Sequence, residues 1–213
     1  MLPWHKEPFI LDNTQQRPII LASTSPRRKE LIASLHLAFD VIPSHANEDT
    51  PPEWTPEQTV QELALRKALA VYRGLEGREQ EAIIVGSDTV VVLDGEILGK
   101  PVDEADAERM LSRLQGRVHR VFTGVACIDG GNGQSLVHYR QTDVTMKELS
   151  DATIRAYVQT GEPSDKAGSY AIQGIGASLI DRIEGCYFNV VGLPLSLLSD
   201  MLDGFGVHVL PRT

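Results

Sequence analysis

The amino-acid sequence predicts an α/β protein with a mixed sheet and flanking helices. Apolar runs of the length of buried strands alternate along the chain with segments whose apolar residues recur at helical spacing. Asp94-Gly95 between two apolar runs predicts a tight β-hairpin, and residues 119–128 and 135–146 alternate like two long strands. Because hairpins occur beside helical crossovers, we expect antiparallel as well as parallel strand pairing.

The two helices in the first half of the chain are predicted from their starts, where a capping residue precedes proline. Ser25-Pro26 and Thr55-Pro56 fit this pattern, since proline at the first helical position lacks only an N–H that would be unpaired there. The predicted elements are a strand at 18–22, a helix from 25 to about 36, a strand at 39–42, a polar loop at 43–55, a helix through Val60, Leu63, Ala64, Ala68 and Val71, and a strand at 82–85 that ends in Gly86-Ser87-Asp88.

The second half of the chain is predicted to hold the hairpin, the two long strands and three helices. Gly116 and Gly161 come just past two helical segments, where glycine commonly ends a helix. The predicted elements are strands at 89–93 and 96–98, a helix at 103–115, strands at 119–128 and 135–146, a helix at 150–159, a glycine-rich segment at 162–176, strands at 178–183 and 188–191, and a helix at 194–202.

The length of 213 residues suffices for one domain, which we predict to span residues 18–213 after an N-terminal arm at 1–17. The arm carries only the short apolar patch Phe9-Ile10-Leu11, with no small-residue cleavage site after it, so it does not resemble a secretory signal. No apolar run approaches the roughly 20 residues of a membrane-spanning helix. We therefore expect no membrane partner.

Charge and cysteine content narrow the class of partner further. The formal net charge of −9 repels polyanions, so a nucleic-acid partner is not expected. Cys127 and Cys186 lack the spacing of a disulfide framework or a zinc site, and free thiols suit a reducing, cytoplasmic compartment. A small phosphate-bearing ligand stays compatible with this charge if basic groups converge locally or a metal ion assists. The sequence leaves the oligomeric state open, a homodimer included.

A hydroxyl-rich turn followed by two arginines is the first candidate site. Ser23 and Ser25 lie between a buried strand and a helix N-terminus, where free backbone N–H groups and the helix dipole favour an anion. Arg27 and Arg28 lie in the first helical turn, where cations oppose the dipole unless an anion sits beside them. The pattern indicates phosphate binding, with a solvated basic turn as the alternative.

Three charged residues farther along the chain are candidates with two interpretations each. Lys67 falls within an apolar helical stripe, so it either reaches a charged cleft or extends to water at the edge of the stripe. Asp88, after a buried strand, can bind a metal ion or activate water, or it can be an ordinary turn residue. Lys100, before Pro101, is either a cleft lysine or a surface lysine.

The glycine-rich segment supplies the last candidates. Asp165, Lys166 and Gln173 are interleaved with glycines, which let a backbone approach a ligand closely. An ordinary glycine-rich loop is the alternative. The sequence has neither a Walker A motif nor GxGxxG, so the P-loop and Rossmann classes of nucleotide-binding protein lack their fingerprint.

Six short motifs are together similar, in order and spacing, to those of the Maf family, whose members were first described as septum-formation inhibitors. The similarity covers roughly residues 18–202. The motifs are LASTSPRR at 21–28, GSDT at 86–89, GKP at 99–101, EPSDKAG at 162–168, IQG at 172–174 and VGLP at 191–194.

This resemblance implies a metal-dependent pyrophosphatase that splits the bond between the α- and β-phosphates of a nucleoside triphosphate. The implied fold is a mixed sheet in two lobes around a cleft, similar to that of inosine triphosphate pyrophosphatases. Asp88 is then the proton acceptor, and Glu48 with Asp88 would hold a divalent cation, Mg²⁺ or Mn²⁺. The implied triphosphate-binding residues are Ser23, Ser25, Arg28, Lys67 and Lys100, with Asp165 and Lys166 as further cleft candidates.

The resemblance also bears on which base is chosen. Arg27, Thr89 and Gln173 match the subgroup that prefers dTTP and UTP, whereas the subgroup acting on 7-methyl-GTP has glutamate at the position of Gln173. A primary amide offers an acceptor and a donor pair, which can match the N3–H and a carbonyl oxygen of uracil or thymine. A carboxylate only accepts, and so it suits the N–H donors of guanine.

The sequence therefore predicts a cytoplasmic pyrophosphatase for dTTP, UTP or modified pyrimidine nucleotides. A nucleotide-binding regulator of cell division with little catalysis is the alternative. Such a regulator would keep the basic cleft but would not need Asp88, so the presence of this carboxylate favours the enzyme.

Overall fold

The computed structural model of the protein describes residues 17–76 and 81–210. Apart from Arg17, the predicted N-terminal arm lies outside the described residues. The strands are β1 (Ile19–Leu21), β2 (Phe39–Val41), β3 (Ile83–Leu93), β4 (Glu96–Leu98), β5 (Val118–Asp129), β6 (Ser135–Met146) and β7 (Ile180–Glu184). The helices are α1 (Pro26–Ala33), α2 (Pro56–Tyr72), α3 (Glu104–Leu114), α4 (Asp151–Val158), α5 (Tyr187–Val191) and α6 (Leu195–Asp203).

In the described part of the chain, the seven strands form one mixed sheet, which confirms the predicted fold class. The order is β2-β1-β3-β5-β6-β7, and β4 pairs with the C-terminal part of β3. β1 is parallel to both β2 and β3, whereas β5, β6 and β7 follow in antiparallel pairing. Neither 17–76 nor 81–210 contains a helix that is both long enough and apolar enough to cross a bilayer.

The starts of the first two helices and the hairpin turn agree with the sequence prediction. Ser25 and Thr55 cap α1 and α2, each followed by proline. Asp94 and Gly95 both have positive φ, of 53° and 84°, as a two-residue hairpin turn requires. These features are local, so the sequence was sufficient to predict them.

Two of the strand predictions are wrong, one in where the strand ends and one in the type of element. β3 does not end at Gly86-Ser87-Asp88 but runs on to Leu93, because β5 lies alongside and pairs with it, with Asp88 opposite Gly124. Residues 188–191, predicted as a strand, belong to the short helix α5. A short apolar run of this kind fits a buried strand or a buried helix equally well by periodicity alone.

The long strand β3 belongs to both halves of the molecule. Its first half contributes Ile83 and Val85 to an apolar cluster with α1 and α6. Its second half contributes Val91 and Leu93 to a separate cluster with α3 and α4. These two clusters form the two lobes, and Asp88 lies on β3 at the boundary between them.

Helix α2 lies directly against the sheet because two facing positions lack a side chain. A Cβ atom at Gly86 would lie 2.2 Å from the carbonyl oxygen of Ala64, and one at Gly124 would lie 2.1 Å from that of Val60. Both distances are far inside van der Waals contact. The two glycines therefore set the separation between the helix and strands β3 and β5.

Gly124→Ala is expected to lower the free energy of unfolding by about 1–3 kcal/mol or more, because the added methyl group forces α2 away from the sheet. Gly74→Ala is the matched control, since its Cβ would meet only the carbonyl oxygen of Val71 at 3.6 Å. Urea denaturation of both variants checks the expectation. Equal midpoints for Gly124→Ala and wild type would show that the helix can shift without cost.

Candidate active site

The residues singled out in the sequence come together in one cleft of about 510 Å³ between the two lobes. This volume lies within the usual range for sites that bind small ligands. The predicted site residues that line it are Ser23, Ser25, Arg27, Arg28, Glu48, Lys67, Asp88, Thr89, Lys100, Asp165, Lys166 and Gln173. They come from the middle of β3, from loops and from helices α1 and α2, which are far apart along the chain.

Lys67 lies at the centre of the cleft and not at a solvent-exposed edge. Its Nζ is 2.6 Å from Asp88 Oδ1 and 3.0 Å from Glu48 Oε1. The Lys67 side chain is only 11% exposed, whereas that of Glu48 is 60% exposed. Helix α2 thus delivers a buried ammonium group to two carboxylates, one on the sheet and one on the loop after β2.

Asp88 is a buried carboxylate in a cationic environment. Burial raises the pKa of Asp88, while the charges of Lys67 and Arg28 oppose this rise. A carboxyl group with a raised pKa in a cleft is a stronger base than a surface carboxylate, and such groups concentrate at functional sites. The strand backbone holds Asp88 rigidly in register with β5.

Arg28 is held in place by two hydrogen bonds that its guanidinium group donates. Its Nε donates to the carbonyl oxygen of Gly192 at 2.8 Å, and its Nη2 donates to Thr89 Oγ1 at 3.0 Å. The hydroxyl of Ser87 donates to the same Gly192 oxygen at 3.0 Å. Burial lowers the pKa of Arg28, and Asp88 opposes that shift. The guanidinium stays charged because its reference pKa is so high.

The hydroxyl of Thr89 belongs to a hydrogen-bond chain whose direction is determined. Thr123 Oγ1 donates to the carbonyl oxygen of Asn189 at 2.8 Å, which uses its only proton. Thr89, 2.9 Å from Thr123 Oγ1, must therefore donate to Thr123. The proton of Thr89 is thus used in the hydrogen bond to Thr123. Its oxygen accepts a hydrogen bond from Arg28, and in this arrangement Thr89 holds the guanidinium group in position.

Helix α1 presents its N-terminus to the cleft. Ser25 Oγ accepts from the backbone N–H of Arg28, and the backbone N–H of Ser25 donates to Ser23 Oγ at 3.1 Å. The first turn of α1 contains no acidic residue, so nothing in that turn competes with an anion for the dipole. This end of the cleft is therefore suited to phosphate.

The opposite wall of the cleft carries further charges. Asp165 pairs with Lys166 and lies 3.9 Å from the Nη1 of Arg27. Lys100 is exposed at the rim. Gln173 is half-buried and lines the cleft from a loop after these residues. Charged groups thus face the cleft from both lobes.

Sequence reasoning missed the groups that hold the charged residues in place. Thr123 and Asn189 were read only as parts of strands, and Gly192 only as part of a motif. Their contribution is a hydroxyl or a backbone carbonyl, which carries no signal in a single sequence. The one available hint was the VGLP motif at 191–194, whose role the resemblance did not explain.

The carboxylates at the cleft offer a partial site for a cation. Within residues 17–76 and 81–210, no group of three or more His, Cys, Asp or Glu side chains is arranged to hold a metal ion. Glu48 and Asp88 nevertheless contact a common positive centre, the Nζ of Lys67. Two carboxylates that converge in this way fit Mg²⁺, which commonly takes one or two carboxylates and completes its shell with substrate phosphates and water.

The protein is thus an α/β protein with a cleft in which fixed cations surround a buried carboxylate. Such a cleft is suited to a small anionic ligand. The chain belongs to the Maf family, because residues 18–205 match the family model described as Maf-like protein. The resemblance found in the sequence is thereby confirmed.

Two relatives illustrate the similarity. The chain is 49% identical over 193 residues to a dTTP/UTP pyrophosphatase of Desulforamulus reducens, covering 91% of this chain and 99% of that protein. It is 50% identical over 197 residues to a dTTP/UTP pyrophosphatase of Acetivibrio thermocellus, covering 91% and 98%. A solved structure of the Ham1 protein of Staphylococcus aureus aligns with a TM-score of 0.47 at 16% identity, over 77% of this chain and 80% of that one.

Proposed function

We propose that this protein hydrolyses dTTP, UTP or modified pyrimidine nucleotides to the monophosphate and pyrophosphate. The observation that carries the proposal is the buried Asp88 carboxylate, which lies beside fixed cations in a cleft of nucleotide size. The relatives named dTTP/UTP pyrophosphatase support the choice of substrate. Activity in the cytoplasm, where these nucleotides are made and used, follows from the same proposal.

In this reaction Asp88 orients the attacking water and accepts its proton. The water oxygen forms a bond to the α-phosphorus, the bond from that phosphorus to the bridging oxygen breaks, and pyrophosphate leaves with the electron pair. The raised pKa of Asp88, caused by burial, makes its carboxylate a better proton acceptor than a surface aspartate. Its fixed position on β3 spares the cost of orienting the base.

The cations of the cleft stabilise the charge that develops on the leaving group. Arg28 and Lys67 are already held by hydrogen bonds, so they need little reorganisation when the substrate binds. Lys100, which is exposed at the rim of the cleft, would contact the terminal phosphates. The N-terminus of α1, with Ser23 and Ser25, supplies neutral donors for the remaining phosphate oxygens.

Glu48 and Asp88 would hold the divalent cation, Mg²⁺ or Mn²⁺, together with phosphate oxygens of the substrate. When bound, the cation would neutralise phosphate charge and polarise the phosphorus under attack. Lys67 contacts both carboxylates and so balances their charge in the absence of substrate. Glu48 is exposed on a loop, which leaves it free to adjust its position on binding.

Pyrophosphate release from a panel of nucleotides, with Mg²⁺ or Mn²⁺ present, tests the proposed function. We expect equal amounts of monophosphate and pyrophosphate from UTP and dTTP, with lower kcat/KM for CTP and GTP. A protein that binds UTP but releases no pyrophosphate would contradict the proposal and favour a regulatory role instead.

Gln173→Glu is expected to lower kcat/KM for dTTP and UTP by roughly 10- to 100-fold, because a carboxylate would then face a carbonyl oxygen of the base in a partly desolvated site. Guanine nucleotides should lose less or gain. The measurement is kcat/KM for UTP, dTTP, CTP, GTP and 7-methyl-GTP on wild type and variant. A uniform loss across all five would mean that Gln173 maintains the loop and does not read the base.

A further inference from the structure

Gln173 lies in the loop 171–176, which leads into the short 3₁₀ helix Gly174–Leu179, so neither a strand nor an α-helix orients its side chain toward the cleft. Glu162, in the short helical turn Glu162–Asp165, lies behind this loop and does not line the cleft. Its Oε2 accepts from the backbone N–H of Ile175 at 3.0 Å, and its Oε1 accepts from that of Gly176 at 2.8 Å. One carboxylate thus binds two successive amides just after Gln173.

Tyr157 on α4 ties the other end of the loop to the same carboxylate. Its hydroxyl donates to Glu162 Oε1 at 2.9 Å and accepts from the backbone N–H of Ala171 at 3.1 Å. Tyr157 is 3% exposed, and burial raises the pKa of its hydroxyl, so the hydroxyl keeps its proton at neutral pH. Residues 171–176 are therefore held at both ends by Glu162 and Tyr157.

The glycines of the loop allow it to lie close against these two side chains. A Cβ atom at Gly174, where φ is +66°, would lie 2.5 Å from Glu162 Oε2. A Cβ atom at Gly176 would lie 2.5 Å from the Tyr157 hydroxyl oxygen and 2.3 Å from the carbonyl oxygen of Ala171. The close fit leaves the loop little freedom to move while the carboxylate contacts persist.

We propose that Glu162 is a positioning residue for base selection, which holds the 171–176 loop so that Gln173 faces the base of the nucleotide in one orientation. The inference rests on the proposed function, since it assigns a role to the base-binding end of the same cleft. The hydrogen bonds of Glu162 involve none of the proposed phosphate-binding residues Ser23, Ser25, Arg28, Lys67 and Lys100. Its loss should therefore alter the choice of base and leave phosphate recognition intact.

Glu162→Gln tests the proposal, because the amide nearly keeps the size of the carboxylate but turns an N–H donor toward a backbone N–H. We expect the ratio of kcat/KM for UTP to that for GTP to fall by about 10-fold, the scale of one lost charge-assisted hydrogen bond. The inhibition constant of inorganic tripolyphosphate should stay at its wild-type value. Glu148→Gln, the same change at an exposed glutamate outside the cleft, is the control.

Tyr157→Phe perturbs the loop from its other end without a change of charge, and it should shift the UTP-to-GTP ratio in the same direction. Thermal unfolding shows whether each variant is folded at the assay temperature. An unchanged ratio in folded variants, or an equal loss for both nucleotides together with weaker tripolyphosphate inhibition, would overturn the proposal.

Direct binding separates this proposal from the proposed function. Calorimetry with the divalent cation left out, to prevent turnover, gives the Kd values of UTP and GTP, and the ratio of Kd for UTP to Kd for GTP should rise in Glu162→Gln. If wild type releases no pyrophosphate, the proposed function fails while the binding ratio still decides the role of Glu162. If wild type is active and the binding ratio is unchanged in the variant, only the inference about Glu162 fails.

Discussion

Asp88→Asn is expected to bind UTP and yet to release pyrophosphate roughly 100-fold or more slowly than wild type, the scale of a lost general base. The amide has the size of the carboxylate and can still accept a hydrogen bond from Lys67, so the cleft should keep its shape. It cannot take a proton from water. The loss should therefore appear in kcat and not in nucleotide affinity.

The measurement combines single-turnover pyrophosphate release with calorimetric binding of UTP. Asp181→Asn is a suitable control, because Asp181 is an exposed aspartate on β7 outside the cleft. Near wild-type turnover in Asp88→Asn would remove this residue from the role of base. Loss of binding together with turnover would show that, of the two proposed roles of Asp88, holding the cation contributes more than accepting the proton.

Lys67→Met is expected to lower kcat/KM by about 10- to 100-fold for every nucleotide, since it removes the proposed charge-assisted contact with the phosphates. The change also removes the cation between Asp88 and Glu48, which leaves the Asp88 carboxylate buried with less compensation. Methionine keeps most of the apolar length of the side chain. The effect should therefore come from the charge and not from packing.

Inorganic tripolyphosphate provides the decisive comparison for Lys67. Tripolyphosphate has no base, so Lys67→Met should weaken its inhibition strongly. The ratio of kcat/KM for UTP to that for GTP should stay constant. This pattern is the reverse of the one expected for Glu162→Gln. Lys67→Arg, which keeps the charge, should recover part of the activity. If kcat/KM were unchanged and only stability rose, Lys67 would be a core residue without a part in the reaction.

The sequence predicted those parts of the fold that are determined locally. The cap at Ser25, the hairpin turn at Asp94-Gly95 and the α/β alternation depend on residues a few positions apart. The course of β3 through Asp88 depends on pairing with β5, where the residue opposite Asp88 is the distant Gly124. Such pairing leaves no trace in the strand itself, and GSDT at 86–89 therefore resembled a turn.

The candidate site likewise contains residues that the sequence revealed and residues that it did not. Charged residues such as Lys67 could be singled out from the sequence because Lys67 interrupts an apolar helical stripe. A charge buried among apolar residues is costly in free energy unless it has a partner. The supporting groups were not conspicuous. Thr123 lies in an ordinary strand pattern, and Glu162 begins the EPSDKAG motif at 162–168, but the resemblance assigned it no role. Only their hydrogen bonds, to Thr89 and to the amides of Ile175 and Gly176, distinguish them.

The close approach of α2 to the sheet determines which substitutions far from the substrate can impair the proposed reaction. Lys67 projects from the helix whose height above β3 is set by Gly86 and Gly124, and its partner Asp88 stands two residues beyond Gly86 on that strand. A methyl group at either glycine would lift the helix and carry the ammonium away from the carboxylate. Such a substitution would change no residue of the cleft, yet in the proposed reaction it would lower turnover in whatever fraction of the protein still folded. The proposed reaction thus limits which residues these two positions can tolerate, through the distance between Lys67 and Asp88, in addition to the limit that folding sets.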